Sequence, residues 1–242
     1  MGASFARLLA SAGINLVLIA RKPGPLEEVA REARTHSSVQ VRTLQLDITQ
    51  PDLLDRICAV TDDLDVGLMI CNAGAAGNPL PFLKQPLDTA LGIVRLNVIA
   101  QTTLSHHFGN RMADRGRGGI VLVGSMGGSA GCANLAAYSA SKSYTQIFGE
   151  ALWAEFKPLG IDVLVLLLGR TETPALARTE IADNPGMPAP ADPEDMARQA
   201  LDSVGNGPVC VPTHLAGVFQ HLRALSRREA TEVMSAGTRG RK

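Results

Sequence analysis

The chain has 242 residues, 45% of them hydrophobic, with 23 basic and 23 acidic side chains and no net formal charge. That length and apolar content suit one compact domain with a sizeable core. The neutral balance gives no general attraction to nucleic acid or an anionic membrane, and no apolar run reaches the roughly 18 residues needed to span a bilayer.

The chain opens on MGASFARLLASAG, residues 1–13, with alanine and leucine at helical spacing and Gly2 at the mouth of the helix. Arg7 interrupts the apolar start and no basic segment precedes it, so it does not read as a secretory leader. Short apolar runs then alternate with longer amphipathic stretches. The runs are INLVLIA (14–20), VQVRTLQLD (39–47), VGLMICNAG (66–74), GIVLVGS (119–125), IDVLVLLLG (161–169) and PVCVP (208–212). Most are continuous rather than alternating, as expected of parallel strands covered on both faces. Helical spacing occupies about 3–12, 25–35, 51–62, 86–113, 138–157, 193–204 and 215–235. The alternation predicts an α/β fold: a doubly wound parallel sheet flanked by helices, in a single domain over 1–242.

Residues 170–193 break the rhythm with Pro174, Pro185, Gly186, Pro188, Pro190 and Pro193. A long irregular loop after a strand end, where open α/β sheets bind ligands, reads as an active-site lid. The last stretch, 215–242, reads as a helix and a basic tail, with the cluster Arg223, Arg227, Arg228, Arg239, Arg241 and Lys242 solvated rather than built for nucleic acid. Cys58, Cys71, Cys132 and Cys210 are widely spaced and form no CxxC pair, the pattern of reduced thiols in a cytoplasmic protein.

The chemistry concentrates in VGSMGGSAGCANLAAYSASKSY, 123–144. If Tyr138 opens a helix, Lys142 lies one turn further on the same face. An ammonium beside a phenol favours the phenolate, and should lower the phenol pKa from its usual value of about 10. Tyr138 then becomes a proton donor or acceptor near neutral pH. Ser125, at the end of the preceding strand run, could hold the reacting oxygen. A tyrosine four residues before a lysine is common on helices. The setting gives this pair its weight: a strand ending in Gly-Ser, a small-residue loop, then the tyrosine.

These residues resemble the short-chain dehydrogenase/reductase family. Its serine, tyrosine and lysine spacing falls on Ser125, Tyr138 and Lys142. CNAG, 71–74, resembles the family's NNAG turn. Asn97 in RLNVIA sits where the family has its helix asparagine. LGRTETP, 168–174, resembles the family's PG-x-x-x-T, with Leu168 in place of proline. The resemblance covers about residues 1–212 and implies a Rossmann-like fold with NAD(P)-dependent carbonyl–alcohol chemistry. Under it, Tyr138 is the general acid/base, Lys142 lowers its pKa and binds the nicotinamide ribose, Ser125 orients the carbonyl, and Asn97 holds a water linking Lys142 to solvent.

The same resemblance implies the cofactor contacts. Arg21 and Lys22 follow INLVLIA where an NAD enzyme usually has an acid, and none occurs between Asn15 and Pro25. An arginine suits a 2′-phosphate, so the expected cofactor is NADP(H) rather than NAD(H). The plain alternative is that both are solvated loop cations. Asp47 is expected at the adenine. Asn72, Ala73 and Gly74 are expected at the adenine ribose, and Gly169, Thr171 and Thr173 at the nicotinamide. A moderately apolar ketone or aldehyde, an acyl thioester or a steroid-like ring would suit the substrate loops. Helices 86–113 and 138–157 are those the family uses to form dimers and tetramers. The second offers Ala140, Tyr144, Phe148, Leu152 and Phe156, which could equally face the chain's own sheet.

Family members open with a strand and a TGxxxGxG turn. GASFARLLA, 2–10, aligns with Gly2 as the third glycine, and the first strand and earlier glycines have no counterpart here. That strand is central in the family order. Its absence predicts an empty slot between strands 14–20 and 66–71 and leaves the helix mouth at Gly2 as the remnant of the diphosphate turn. Two readings follow: an NADP(H)-dependent reductase whose natural start lies upstream, or a non-catalytic relative acting as a binding or scaffold protein. The full set of Asn97, Ser125, Tyr138 and Lys142 favours the first.

Other enzyme classes fit less well. His36, His106, His107, His214 and His221 show no HExxH or other metal spacing, and Asp62, Asp63 and Asp65 read as an acidic turn, so no metal site is expected. GGSAG, 127–131, has a G-x-S-x-G pattern, but Ser129 lies four residues past Ser125, outside the strand–Ser–helix context a nucleophile elbow needs.

Overall fold

A computed structural model of the chain describes residues 1–36, 38–177 and 189–238. Strand β1 (Leu16–Ala20) pairs in parallel with β2 (Val41–Gln45), from Leu16↔Val41 to Ala20↔Gln45. A second parallel sheet runs β3 (Leu68–Cys71), β4 (Gly118–Ser125), β5 (Ile161–Leu168) and β6 (Val209–Cys210), in that spatial order. Helices connect the strands: α1 (Gly2–Ser11), α2 (Pro23–His36), α3 (Leu53–Thr61), α4 (Leu87–Val94), α5 (Ala100–Arg115), α6 (Ala136–Phe156), α7 (Pro174–Ala177), α8 (Pro193–Ser203), α9 (Ala216–Ala224) and α10 (Arg227–Ala236).

The continuous apolar runs are buried on both faces because successive strand residues point to opposite sides. In β4 and β5, Ile120, Leu122, Val163, Val165 and Leu167 pack with Ile57 of α3, Phe108 of α5 and Leu152 of α6. Val121, Val123, Leu164, Leu166 and Leu168 pack on the other face with Phe5 of α1 and Met196, Ala197 and Ala200 of α8.

The sheet is divided where the sequence lacked a strand. Among the described residues no strand pairs with both β1 and β3, and the two sheets are separate. Helix α1 spans the division. Phe5 and Leu8 belong to the core of the four-stranded sheet, while Ala6 and Ala10 pack with Leu16, Ala33 and Val39 beside the two-stranded one. One amphipathic helix therefore supplies apolar contact to both sheets. A cavity of about 530 Å³ opens at the amino ends of β3 and β4, between Leu8 and Ile14 on one side and Leu201 and Val204 on the other. It lies at the opposite end of these strands from Ser125.

Three boundaries differ from the sequence expectation. The helix expected over 86–113 carries a π-helical turn at Arg95–Ile99 between α4 and α5. The helix expected over 215–235 breaks at Leu225–Ser226, where a capping box starts α10: Glu229 N–H donates to Ser226 Oγ (3.3 Å) and Ser226 N–H to Glu229 Oε2 (2.9 Å). The strand expected over 208–212 pairs only at Val209 and Cys210.

The expected lid is closed off at its base. Thr171 and Ala191 form a parallel bridge, Ala191 N–H donates to Arg170 O and Glu172 N–H to Ala191 O, each at 2.9 Å. Ile181 and Met187 of that loop, and Arg239, Arg241 and Lys242 of the tail, lie outside the described residues. Among the described residues no helix is long and apolar enough to cross a membrane. All four cysteines are free thiols.

Candidate functional site

The loop that ends β4 must approach α6 closely, and its glycines permit it. A Cβ on Gly127 would stand 3.1 Å from Tyr138 Cε1 and 3.2 Å from Ser125 Oγ. One on Gly128 would stand 2.5 Å from the Lys142 carbonyl carbon and the Ser143 nitrogen. Gly128 therefore lets the loop rest directly on the helix backbone. Ser125 Oγ accepts from Gly127 N–H at 3.0 Å and lies on the Tyr138 side of the loop, close enough that its hydroxyl favours the phenolate. The serine and tyrosine thirteen residues apart both border Gly127.

Lys142 lies one helical turn beyond Tyr138, but its side chain is only 7% exposed. Its ammonium donates to Val123 O at 2.8 Å. Burial lowers its pKa from 10.5 to about 8, against the opposing influence of Cys71. Burial likewise pushes the Cys71 thiol up to about 12, so it stays protonated. The phenol differs from the sequence expectation. The Tyr138 pKa is raised from its ordinary 10, not lowered: burial acts first, and the Ser125 hydroxyl opposes it without reversing it. The Lys142 charge is spent on a strand carbonyl rather than aimed at the phenol oxygen.

Asn97 lies in the π turn and is 2% exposed. Its Oδ1 accepts from Ala75 N–H at 3.1 Å, and its Nδ2 donates to Ala75 O at 3.0 Å and Ser141 Oγ at 2.9 Å. A Cβ on Gly74 would lie 3.3 Å from both Asn97 Oδ1 and Lys142 Nζ. Asn97, Lys142 and the Asn72–Gly74 turn thus converge at the carboxyl end of β3. Ser141, Val123 O and Cys71 also belong to this cluster. Sequence reasoning did not single them out, because two act through backbone placement or burial. The serine could have been suspected, lying beside Lys142 at helical spacing from Tyr138.

The other candidates gather in two further groups. Arg21 follows β1 with its side chain 67% exposed, and its Nη1 lies 3.9 Å from Asp47 Oδ2. Lys22 is also exposed. Asp47 Oδ1 accepts from Thr49 N–H (3.0 Å) and Oγ1 (2.8 Å), bonds that hold its carboxyl below the usual range. Beyond β5, Gly169 packs so tightly that a Cβ would lie 2.9 Å from Leu215 Cδ1. Thr171 is buried, and Thr173 Oγ1 accepts from Leu176 N–H (3.2 Å), capping α7. At α1, Gly2 packs against the Asn72 amide, with no side-chain cap and no acid in the first turn. Every candidate other than those of α1, the π turn and α6 lies at or just beyond a strand's carboxyl end, where open α/β sheets bind ligands.

The short chain dehydrogenase family model matches residues 1–184. The chain belongs to the short chain dehydrogenase family. It is 33% identical over 211 residues to a very-long-chain 3-oxoacyl-CoA reductase of Neurospora crassa, covering 85% of this chain and 61% of that one. The chain therefore spans less than two thirds of that relative's length. It is 26% identical over 209 residues to a 7beta-hydroxysteroid dehydrogenase of Clostridium sardiniense, covering 85% of this chain and 78% of that one. Among solved structures it superposes on a short-chain dehydrogenase from Sphingobium yanoikuyae in complex with NADPH. The TM-score is 0.81 at 29% identity, over 100% of this chain and 93% of that one.

In this short chain dehydrogenase the loop leading to Tyr138 is held by the C-terminal helix. Ala133 N–H donates to Ser235 Oγ (2.9 Å), Asn134 Nδ2 to Thr238 O (2.7 Å), Thr238 Oγ1 to Ala133 O (2.7 Å) and Arg227 Nη1 to Ser129 O (2.9 Å). Asn134 has φ 64°, a left-handed conformation that costs free energy in any residue but glycine. The α10 contacts offset that cost. Replacing Ser235 with alanine removes a bond worth about 1.4 kcal/mol, so amide exchange at Ala133 should accelerate about tenfold. Hydrogen–deuterium exchange with peptide resolution over 129–137 measures it, and exchange at β4 should not change.

Proposed function

We propose that the chain is an NADP(H)-dependent oxidoreductase that interconverts a carbonyl and an alcohol on a small to medium apolar substrate. The observation that carries this reading is the convergence of Ser125 and Tyr138 on Gly127, beside the buried Lys142 and Asn97. Ser125 orients the substrate oxygen and stabilises its developing charge. Tyr138, kept as a phenol by burial, gives that oxygen a proton. Lys142 presents a cation beside the Gly74 cradle, and the second lone pair of Asn97 Oδ1 faces the same space, where it can hold a water.

The residues present suit a dinucleotide. A Cβ would fill the space at Gly74, and the mouth of α1 is open to an anion. When bound, the cofactor supplies or accepts the hydride. Gly2 would face its diphosphate, Arg21 and Lys22 its 2′-phosphate, Asp47 its adenine and Asn72, Ala73 and Gly74 its adenine ribose. Lys142 and Tyr138 would face the nicotinamide ribose, and Gly169, Thr171 and Thr173 the nicotinamide.

Relatives named for 3-oxoacyl-CoA and hydroxysteroid chemistry support an apolar carbonyl substrate. Exposed Leu87, Leu91, Val94, Ile99 and Ile147, on α4, the π turn and α6, support a homodimer or homotetramer. Leu152 does not contribute to that surface, since it is buried in the core. The free thiols support a reducing, cytoplasmic setting.

Titration with NADPH and NADH, followed by nicotinamide fluorescence, tests the reading. NADPH should bind more tightly. Arg21→Ala should weaken NADPH about tenfold, the worth of one charge-assisted bond, and change NADH by less than about twofold. Equal wild-type affinities would overturn the NADP(H) preference, and binding of neither would overturn the enzyme reading.

A further inference from the structure

Cys58, Asp62 and His107 come together where α3 crosses α5. Cys58 and Asp62 are four residues apart, so they share one face at the carboxyl end of α3. His107 comes from α5, its ring edge-on to Phe108 at 4.9 Å. Cys58 Sγ lies 3.9 Å from His107 Nε2, and the three possible ligand atoms all lie within 4.8 Å of one another. We propose that these three side chains form a divalent metal site suited to zinc, with water in the fourth position.

The donor set argues for that ion. Thiolate, imidazole and carboxylate together suit a borderline-soft cation rather than magnesium or calcium. Zinc–sulfur and zinc–nitrogen bonds of about 2.3 and 2.0 Å at a tetrahedral angle separate the two ligands by about 3.5 Å. The observed separation is close to that, so the thiol and imidazole need only a small adjustment. His107 Nε2 faces Cys58 Sγ and can ligate through its ring lone pair. Cys58 is a free thiol. Binding therefore breaks its S–H bond, forms the sulfur–metal bond and releases one proton to solvent.

Arg111 sets the limit on affinity. Its Nη1 donates to Asp62 Oδ1 (2.9 Å), and its Nη2 donates to Asp62 O and Leu64 O (3.1 Å each). The metal competes with the guanidinium for the carboxylate, while the two carbonyl bonds can persist. Occupancy would tie α3 to α5. His107 lies ten residues past Asn97, about 15 Å along the helix, so the site is separate from the Tyr138 cluster.

Cobalt(II) titration of the full chain tests the proposal. One equivalent should produce a thiolate-to-cobalt charge-transfer band and visible d–d bands, and zinc should abolish both. Cys58→Ser should lose the charge-transfer band. His107→Gln and Asp62→Asn should each weaken binding at least about tenfold. Zinc should raise the melting temperature of the wild type and not that of the Cys58→Ser/His107→Gln double variant, whose carbonyl reductase activity should match the wild type without metal. No charge-transfer band in the wild type, a band that survives Cys58→Ser, or equal zinc stabilisation of wild type and double variant would overturn the site.

Discussion

Tyr138→Phe should lower carbonyl reduction by about a hundred- to ten-thousandfold, the usual worth of a positioned proton donor. The substitution removes one oxygen and keeps the ring, so packing against Gly127 is preserved. Ser125 keeps its bond from the Gly127 N–H. Cofactor affinity should change by no more than one neutral bond allows, about tenfold. The raised phenol pKa also sets the pH dependence. The acid form is present from neutral pH to beyond 10, so the tyrosine does not limit reduction over that range. Oxidation needs the phenolate and should climb with pH through the same range. Single-turnover rates in both directions, with saturating NADPH or NADP+, measure both effects. A phenylalanine variant with wild-type turnover would remove Tyr138 from the mechanism.

The sheet was legible because parallel strands covered on both faces must be continuous apolar runs, and IDVLVLLLG and GIVLVGS are little else. The division between β1 and β3 was also legible, from a helix mouth at Gly2 with no strand before it. The π turn at Asn97 was not. A single extra residue per turn leaves the hydrophobic spacing of α4 and α5 almost unchanged, so RLNVIA reads as ordinary helix. The break at Ser226 had a local signal, serine followed three residues later by Glu229. The apolar spacing continued through it and hid the break.

Ser125 and Tyr138 stood out by spacing and Asn97 by the family resemblance, but the orientation of Lys142 could not be read from either. Four residues on a helix fix which face a side chain leaves from, not which of several nearby oxygens its ammonium reaches. Val123 O wins, because a strand carbonyl lies directly beneath the helix. Cys58, Asp62 and His107 escaped for a different reason. Two share a helix turn and the third lies 45 residues beyond Asp62, so only the α3–α5 crossing brings them together.

Lys142→Met should stabilise the fold while abolishing function. A buried ammonium whose pKa falls from 10.5 to about 8 carries a folding penalty of about 3 kcal/mol at neutral pH. Methionine has a similar volume and no charge to desolvate. Losing the bond to Val123 O returns about 1 kcal/mol, so the net gain should be about 2 kcal/mol at pH 7. The sign with pH follows from linkage. Below about pH 8 both folded and unfolded lysine are charged, and the whole penalty applies. Between about 8 and 10.5 the folded amine is neutral while the unfolded one still binds a proton, so wild-type stability rises and the variant's advantage shrinks. Above 10.5 the penalty is gone, and the variant should be the less stable protein by the lost hydrogen bond. Denaturant midpoints of both chains at pH 7, 9 and 10.5 trace this crossing. A stability difference that stays constant with pH would show that the ammonium is not desolvated in the folded state. The coupling of lost activity to gained stability would mark Lys142 as a group held in an unfavourable place for what it does there.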